Sequence, residues 1–439
     1  MLLLLISYPL YMQWNPAYTL ILLGVTLCTY FAAIIIEDKK AYGNKKYIIT
    51  TVVLLTFLPL IIFKYYNFIL SIFDDLFALA GTSTGLPGLN WAIPVGLSFF
   101  TFQAVGYLWD VYYKKIEAER NILDYMLFIA FFPQIMSGPI SKASSLLPQI
   151  KAERTFDYAG AVQGLKWLLW GFFLKCVMAD RLGIYVDTVY GNYEHYNGLT
   201  CFFASLLYSF QIYGDFAGYS LMAIGVGRLL GFDLINNFNR PYFAASITEF
   251  WRRWHISLST WLKDYIYIPM GGSRCSKLRS YWNIVVTFLV SGIWHGANWT
   301  FIIWGLLHGA FQIIEKALDK QKCNSKGIVK AGRILITFML VNFAWVFFRM
   351  PDFNSGLQFL VKIFTNFGGS LFIDITSLSM GCFALFVVLV KETCEEINPR
   401  ITLFNNSNKV VRWSSYLVVL ILILLLGVFD ASQFIYVNF

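Results

Sequence analysis

The stretch Ser291-Gly-Ile-Trp-His-Gly-Ala-Asn298 decides how this chain is read, because it is polar and joins two apolar runs, Tyr281–Val290 and Trp299–Phe311. Basic clusters flank the pair: Arg274, Lys277 and Arg279 before it, Lys316, Lys320, Lys322 and Lys326 after it. Lys and Arg collect in the cytoplasmic loops of membrane proteins, so the segment is expected to enter the bilayer, turn near His295 and return. A helix from Tyr281 to His295 rises about 1.5 Å per residue, which puts the imidazole roughly 21 Å from the cytoplasmic end. That lies well inside a hydrocarbon core about 30 Å thick. An ionisable side chain at such depth marks a functional site by default. Taken alone, a helix-to-helix hydrogen bond is an equally good role for it.

Composition supports the same class. Of 439 residues, 58% are hydrophobic and 13% charged, about half the charged fraction of a soluble domain. The mean hydropathy is +0.60. An all-α, multi-pass membrane protein follows, read as one domain over residues 1–439. The 41 Phe, 26 Tyr and 14 Trp exceed what interfacial belts need, so some rings are expected to line an interior passage. The net charge of +9 sits mostly in short loops between apolar runs, where it sets topology; nucleic-acid binding is excluded on that ground. Cys28, Cys176, Cys201, Cys275, Cys323, Cys382 and Cys394 are scattered without a close pair, so neither a disulfide framework nor a metal site is expected. Met1 opens into an apolar run with no basic leader, unlike a cleavable signal peptide.

Read outward from the hairpin, the chain alternates apolar runs with basic or turn-rich loops. Met1–Met12 is too short to span; Tyr18–Ile36 spans; Lys39, Lys40, Lys45 and Lys46 mark a cytoplasmic loop; Tyr47–Phe63 returns, with Tyr66–Leu79 continuing it. Gly81–Asn90 is an uncharged outer loop and Trp91–Tyr112 goes back in. Pro133 and Ser137-Gly-Pro139 break Asp124–Ile140. Tyr158–Ala179 goes out, although Lys175 and Arg181 near its far end run against that direction. Tyr190–Asn197 is external and holds His195 as a solvated loop residue. Leu199–Phe232 exceeds one span and is predicted to break around Gly214-Asp-Phe-Ala-Gly218. Gly225-Val-Gly227 follows no strand and reads as close helix packing. Ile247–Ile268 mixes Glu249, Arg252, Arg253, His255, Lys263 and Asp264 with aromatic residues, as an interfacial amphipathic helix does. Gly332–Phe348, Ile375–Val390 and Trp413–Phe429 complete the spans, with Lys391, Arg400, Lys409 and Arg412 inside and the C-terminus outside.

Neutral imidazole is a competent general base, because its unperturbed pKa of about 6.5 lies near working pH. His295 and His255 are the candidates. His308 follows His295 by thirteen positions, which at about 100° per residue points to another helix face and to packing. Lys263 and Asp264 form a local pair or join Arg252 and Arg253 around an anionic ligand: a nucleotide-bearing acyl donor or lipid headgroups. Asp215 is the best intramembrane carboxylate and reads as a helix-to-helix hydrogen bond.

Trp251-Arg-Arg-Trp-His-Ile-Ser-Leu-Ser-Thr-Trp-Leu-Lys-Asp-Tyr265, Tyr267-Ile-Pro-Met-Gly-Gly-Ser-Arg274 and Ser291-Gly-Ile-Trp-His-Gly296 resemble the membrane-bound O-acyltransferases. The bacterial branch that acetylates alginate, peptidoglycan and other polysaccharides is the nearest in pattern. Phe132-Pro-Gln-Ile-Met-Ser-Gly-Pro139 and Asn237-Phe-Asn-Arg-Pro-Tyr242 are similar to further family segments, so the resemblance covers nearly the whole chain. It implies a ring of about 10–12 transmembrane and re-entrant helices around a central tunnel, with His295 at the constriction and His255 at the second motif position. It implies no bound cofactor, acetyl-CoA as acyl donor, and Arg252, Arg253, Trp254, Lys263, Asp264 and Trp294 around it. An extracytoplasmic SGNH-type transferase is the implied partner, and a bacterial inner membrane the location. The terminal Phe434-Ile-Tyr-Val-Asn-Phe439 is similar to a motif thought to carry the acyl group on its tyrosine, here Tyr436. Where the family reads Asp-Phe-Ser-Gly-Tyr-Ser-Asp, this chain reads Asp215-Phe-Ala-Gly-Tyr-Ser-Leu221, and losing a carboxylate and a hydroxyl puts proton handling by that segment in doubt. The D-alanyl branch, with a carrier-protein thioester, shares the fold. A transporter or flippase is the competing class; such folds usually carry inverted repeats, and none is visible.

Overall fold

The computed structural model describes residues 1–38, 44–136, 138–318, 326–398 and 404–429. Tyr436 with its whole terminal motif, Ser137, Cys323 and the loop cations Lys39, Lys40, Lys320, Lys322 and Arg400 lie outside the described residues. Among the described residues every regular element is helical. They fall into two compact units, Met1–Asp157 with Leu230–Ile235, and Tyr158–Leu229 with Asn236–Phe439.

The first unit holds α1 (Leu2–Met12), α2 (Pro16–Glu37), α3 (Lys45–Leu60), α4 (Tyr66–Ala78), α5 (Leu97–Tyr112), α6 (Ile122–Ala130), α7 (Phe132–Ile135) and α8 (Ala143–Lys151). Asn15 caps α2, its side chain accepting the Ala17 N–H, and Pro16 occupies the first turn, where a missing N–H does no harm. A π-helical turn, Ile61–Tyr65, makes α3 and α4 one apolar rod of 34 residues. The span expected from Trp91 starts only at α5. Gly96 there has φ 73°, and a Cβ on it would stand 2.1 Å from the Ile135 carbonyl oxygen, so a non-helical approach is fixed by close backbone contact. The apolar run after Asp124 is broken as the prolines require, with Phe131 separating α6 from α7.

The second unit follows with α9 (Tyr158–Phe172), a π-helical segment Phe173–Ala179, α10 (Asp180–Gly191), α11 (Gly198–Leu229), α12 (Ile247–Arg253), α13 (Ile256–Leu262), α14 (Lys277–His295), α15 (Trp299–Ala317), α16 (Gly327–Arg349), α17 (Phe353–Thr365), α18 (Ile375–Ile397) and α19 (Lys409–Leu426). Two sequence expectations fail here. The predicted break at Gly214–Gly218 is absent, and α11 runs unbroken for 32 residues. Its glycines serve approach, not bending. A Cβ on Gly218 would lie 2.8 Å from Gly171 O, and one on Gly225 2.8 Å from Gly164 O, so α9 and α11 meet along a seam of small residues. The predicted interfacial helix Ile247–Ile268 is instead two short helices and a π-helical turn, Lys263–Tyr267, with most of its aromatic and aliphatic residues buried. His255, at φ 43°, is in the left-handed region and caps the start of the second helix.

Four helical rods among the described residues are long and apolar enough to cross a membrane: Pro16–Glu37, Lys45–Ala78, Gly327–Arg349 and Lys409–Leu426. The π-helical segment before α10 carries a group that sequence reading treats only as a topology marker. Lys175 Nζ lies 2.6 Å from both Asp180 Oδ1 and Asp215 Oδ1, with side-chain exposures of 5%, 4% and 2%. Just beyond α19, the Val428 N–H donates to Cys176 O of the same segment at 2.9 Å.

Candidate active site

The hairpin that carries His295 is built by glycine. A Cβ on Gly292 would stand 2.3 Å from Phe301 O, and one on Gly305 2.4 Å from Phe288 O, so α14 and α15 pack backbone to backbone. α14 ends at His295, and Gly296, extended at φ −166°, reverses the chain. Asn298 caps α15 by accepting the Thr300 N–H. His295 therefore stands at the turn itself, 3% exposed.

His255 reaches the same place by a different route. The loop Asn237-Phe-Asn239 grips the break between α12 and α13: Asn239 N–H donates to Arg253 O at 2.9 Å, Ile256 N–H to Asn237 O at 2.9 Å, and Ser257 N–H to Asn237 Oδ1 at 3.0 Å. These bonds hold a bulky residue in the left-handed region, a strain that persists only where surroundings over-determine it. The His255 ring is fully buried, 4.6 Å from Phe216, 5.8 Å from Trp294 and 6.4 Å from His295, centroid to centroid.

Around His295 stand Trp294 at 4.9 Å, Trp304 at 5.0 Å and Phe348 at 5.1 Å. Trp304 also touches His308 at 5.0 Å, so it lies between two histidines. His308 is fully buried against Trp251 as well, 5.0 Å away. Helical spacing misplaces it, because His295 and His308 lie on two helices joined by a reversal and not on one continuous helix. Several buried polar atoms here have no hydrogen-bond partner among the described residues: Ser291 Oγ, Thr300 Oγ1, Trp304 Nε1 and both ring nitrogens of His308. Most buried polar groups in native proteins have a hydrogen-bond partner in protein or ordered water.

Of the residues singled out in the sequence, His255, His295 and Trp294 converge. Trp254 is fully buried, 5.0 Å from Phe238 and 5.1 Å from Trp345. Arg253 is half-buried and ion-paired to Glu249 at 2.6 Å and to Glu396 at 3.0 Å. Burial alone would raise the Glu396 carboxyl, but Arg253 and Arg240 outweigh it and hold it below the usual range. Arg252 and Lys263 are exposed, and Asp264 is partly exposed on the π-helical turn.

The arrangement brings two buried imidazoles together among aromatic rings. Residues 112–357 match the model of the family described as MBOAT, membrane-bound O-acyltransferase. A "Probable alginate O-acetylase" of Pseudomonas aeruginosa is 38% identical over 376 residues, covering 83% of this chain and 69% of its own length. A peptidoglycan O-acetyltransferase of Helicobacter pylori is 36% identical over 390 residues, covering 82% and 72%. A teichoic acid D-alanyltransferase of Bacillus subtilis is 27% identical over 349 residues, covering 76% and 86%.

Proposed function

The chain belongs to the membrane-bound O-acyltransferase family and is an O-acetyltransferase, and from that premise we propose that it passes acetyl from cytoplasmic acetyl-CoA to an extracytoplasmic hydroxyl for acetylation of a cell-surface polysaccharide. The observation that carries this reading is the pair of buried imidazoles 6.4 Å apart at the turn of the α14–α15 hairpin. His295 acts as general base. It takes the proton of the acceptor hydroxyl as that oxygen attacks the thioester carbonyl carbon. A C–O bond forms, the C–S bond breaks with its electron pair leaving on sulfur, and the imidazolium returns the proton to give a free thiol. Such help is worth about 10²–10⁴ in rate. Holding both reactants in one narrow passage adds an entropic gain, and the aromatic chamber keeps water from the thioester.

His255 stands beside this base and Trp254 and Trp294 wall the passage, the central tunnel of a ring of helices. Exposed Arg252 and Lys263 draw the anionic donor to the cytoplasmic mouth, Asp264 orients Lys263, and Arg253 braces the loop that holds His255. The acceptor is the Tyr436 hydroxyl, near a C-terminus at the outer face of a bacterial inner membrane, or the serine of an SGNH-type partner that delivers acetyl to the glycan. Purified protein with acetyl-CoA and partner should release thiol and transfer labelled acetyl. His295→Ala should abolish both, and retained transfer would remove the assigned base. Labelled acetyl on Tyr436 by mass spectrometry, lost in Tyr436→Phe, tests the relay. The D-alanyl reading has the Bacillus subtilis relative in its favour, and an acyl carrier protein donor in the same assay separates it.

A further inference from the structure

The two imidazoles sit on elements that are separate in the sequence, and one face of α15 touches both. Trp304, His308, Phe311 and Glu315 recur along that helix at helical spacing, so they share one side of it. Trp304 stands against His295 at 5.0 Å and against Trp251 of α12 at 5.7 Å. His308 packs on Trp251 at 5.0 Å and on Phe250 at 6.3 Å. Two turns beyond His308, Glu315 meets the first residues of α12. Its Oε1 accepts the Ile247 N–H at 2.8 Å, and its Oε2 accepts the Thr248 N–H at 2.9 Å and the Thr248 hydroxyl at 2.7 Å.

These contacts differ in what they fix. Burial of rings is non-directional, which leaves a helix as short as α12 free to slide or roll on the aromatic face. Hydrogen bonds weaken steeply away from a narrow range of length and angle, and those to a carboxylate are roughly twice as strong as neutral ones. Both oxygens of Glu315 are engaged, so they set the rotation of α12 as well as its height on α15. α12 is seven residues long, about 10 Å, and only Trp254 separates it from His255. Its far end is held by the Asn237–Asn239 loop and its near end by Glu315, with Arg333 of α16 donating to Ala245 O at 3.2 Å just before it.

We infer that Glu315 is a positioning residue for acetyl transfer: its carboxylate fixes α12 on α15 and thereby sets the His255 ring against His295. The inference rests on the histidine pair and the thioester reaction proposed above. Glu315 touches no reacting atom and acts through α12. A shift of about 1 Å in a catalytic group is felt in turnover, so the loss of Glu315 is read in kcat and not in donor binding. Thr248 is the smaller part of the same contact, because its hydroxyl adds one bond to the two made by main-chain N–H groups.

The test uses the full chain in nanodiscs with acetyl-CoA and partner, and follows thiol release and thermal melting. Glu315→Gln keeps the size of the side chain but turns a donor toward one of the two N–H groups. It should lower kcat about 10–10²-fold and leave KM for acetyl-CoA unchanged. Thr248→Val keeps both main-chain bonds, so it should lower kcat only about 3–10-fold and melt as the unaltered protein does. A double-mutant cycle with His255→Ala separates placing from bracing. Glu315→Gln should lower kcat no further once the ring it places is gone. A residue that only holds helices together would lower kcat by the same factor in both backgrounds, and that result overturns the inference, as does unchanged kcat in both single variants. If Glu315→Gln does not fold, Thr248→Val goes through the same cycle and decides on the same terms. Long incubations with labelled acetyl-CoA read the residual turnover that the cycle needs; where none remains, the split of kcat from KM in Thr248→Val decides. Full activity of His255→Ala, with His295→Ala inactive, overturns the placing role and leaves the thioester reaction standing. No thiol release by the unaltered protein overturns both.

Discussion

Two polar centres are buried in the second unit, and they are built on opposite principles. The Lys175 centre gathers formal charges that meet one another, a cation bridging two carboxylates at 2.6 Å on a π-helical segment. The histidine centre gathers imidazoles among aromatic rings and leaves Ser291 Oγ, Thr300 Oγ1 and the His308 nitrogens without partners among the described residues. Removing one partner from a buried ion group is strongly destabilising, whereas replacing the whole group by apolar residues is often neutral. A buried donor or acceptor without a partner costs its desolvation free energy. The difference separates a centre whose polar groups meet one another from the one proposed above to receive a substrate.

The sharpest way to break that division is to disable each centre and compare activity with stability. His295→Ala should lower acetyl transfer by about 10²–10⁴, and His295→Gln, which keeps most of the buried volume, should lose transfer alike while shifting the melting temperature little. An equal loss of melting temperature and activity would make the ring structural. Lys175→Met should do the opposite and cost about 3–5 kcal/mol of stability by stranding two buried carboxylates. Adding Asp180→Asn and Asp215→Asn should restore melting, and with it transfer. Restored melting without restored transfer would move the triad into the chemistry and erase the contrast.

The two centres were not equally legible in the sequence. The hairpin was, because loop cations and a polar interruption of an apolar run are local signals, and His295 stands at the predicted turn. The Lys175 centre was not: its second carboxylate, Asp215, lies 40 positions away on α11 (215 − 175), and no periodicity announces such a pairing. The same nonlocality explains Gly218. Glycine in a long apolar run suggests a break, yet its role here depends on Gly171 of a different helix, whereas Gly225 packs closely on Gly164 as its sequence reading expects. Asn237–Tyr242 was visible as a family segment, but its grip on the His255 backbone is made of hydrogen bonds to main-chain groups, which side-chain pattern does not encode. His308 was misplaced by assuming one continuous helix across the reversal at Gly296.

The smallest expected effect sharpens the comparison most, because it separates an unmet polar group from a met one. Ser291 lies at 1% exposure on the turn before His295, and its hydroxyl has no partner among the described residues. Ser291→Ala removes an uncompensated buried oxygen, so the protein should melt at the same temperature or slightly higher, a gain of up to about 1–2 kcal/mol. If the hydroxyl is reserved for donor or acceptor, transfer should fall about 3–10-fold in the same variant, the worth of one neutral hydrogen bond. Asn342 is the control. Its side-chain amide donates to Ser205 O at 2.7 Å and to Ser209 Oγ at 2.8 Å, so Asn342→Ala should lower melting by a similar amount instead of raising it, because the partners lose a bond already made. Should Ser291→Ala also lower melting, its hydroxyl is met in the resting protein, and the histidine centre would belong with the Lys175 centre as a brace.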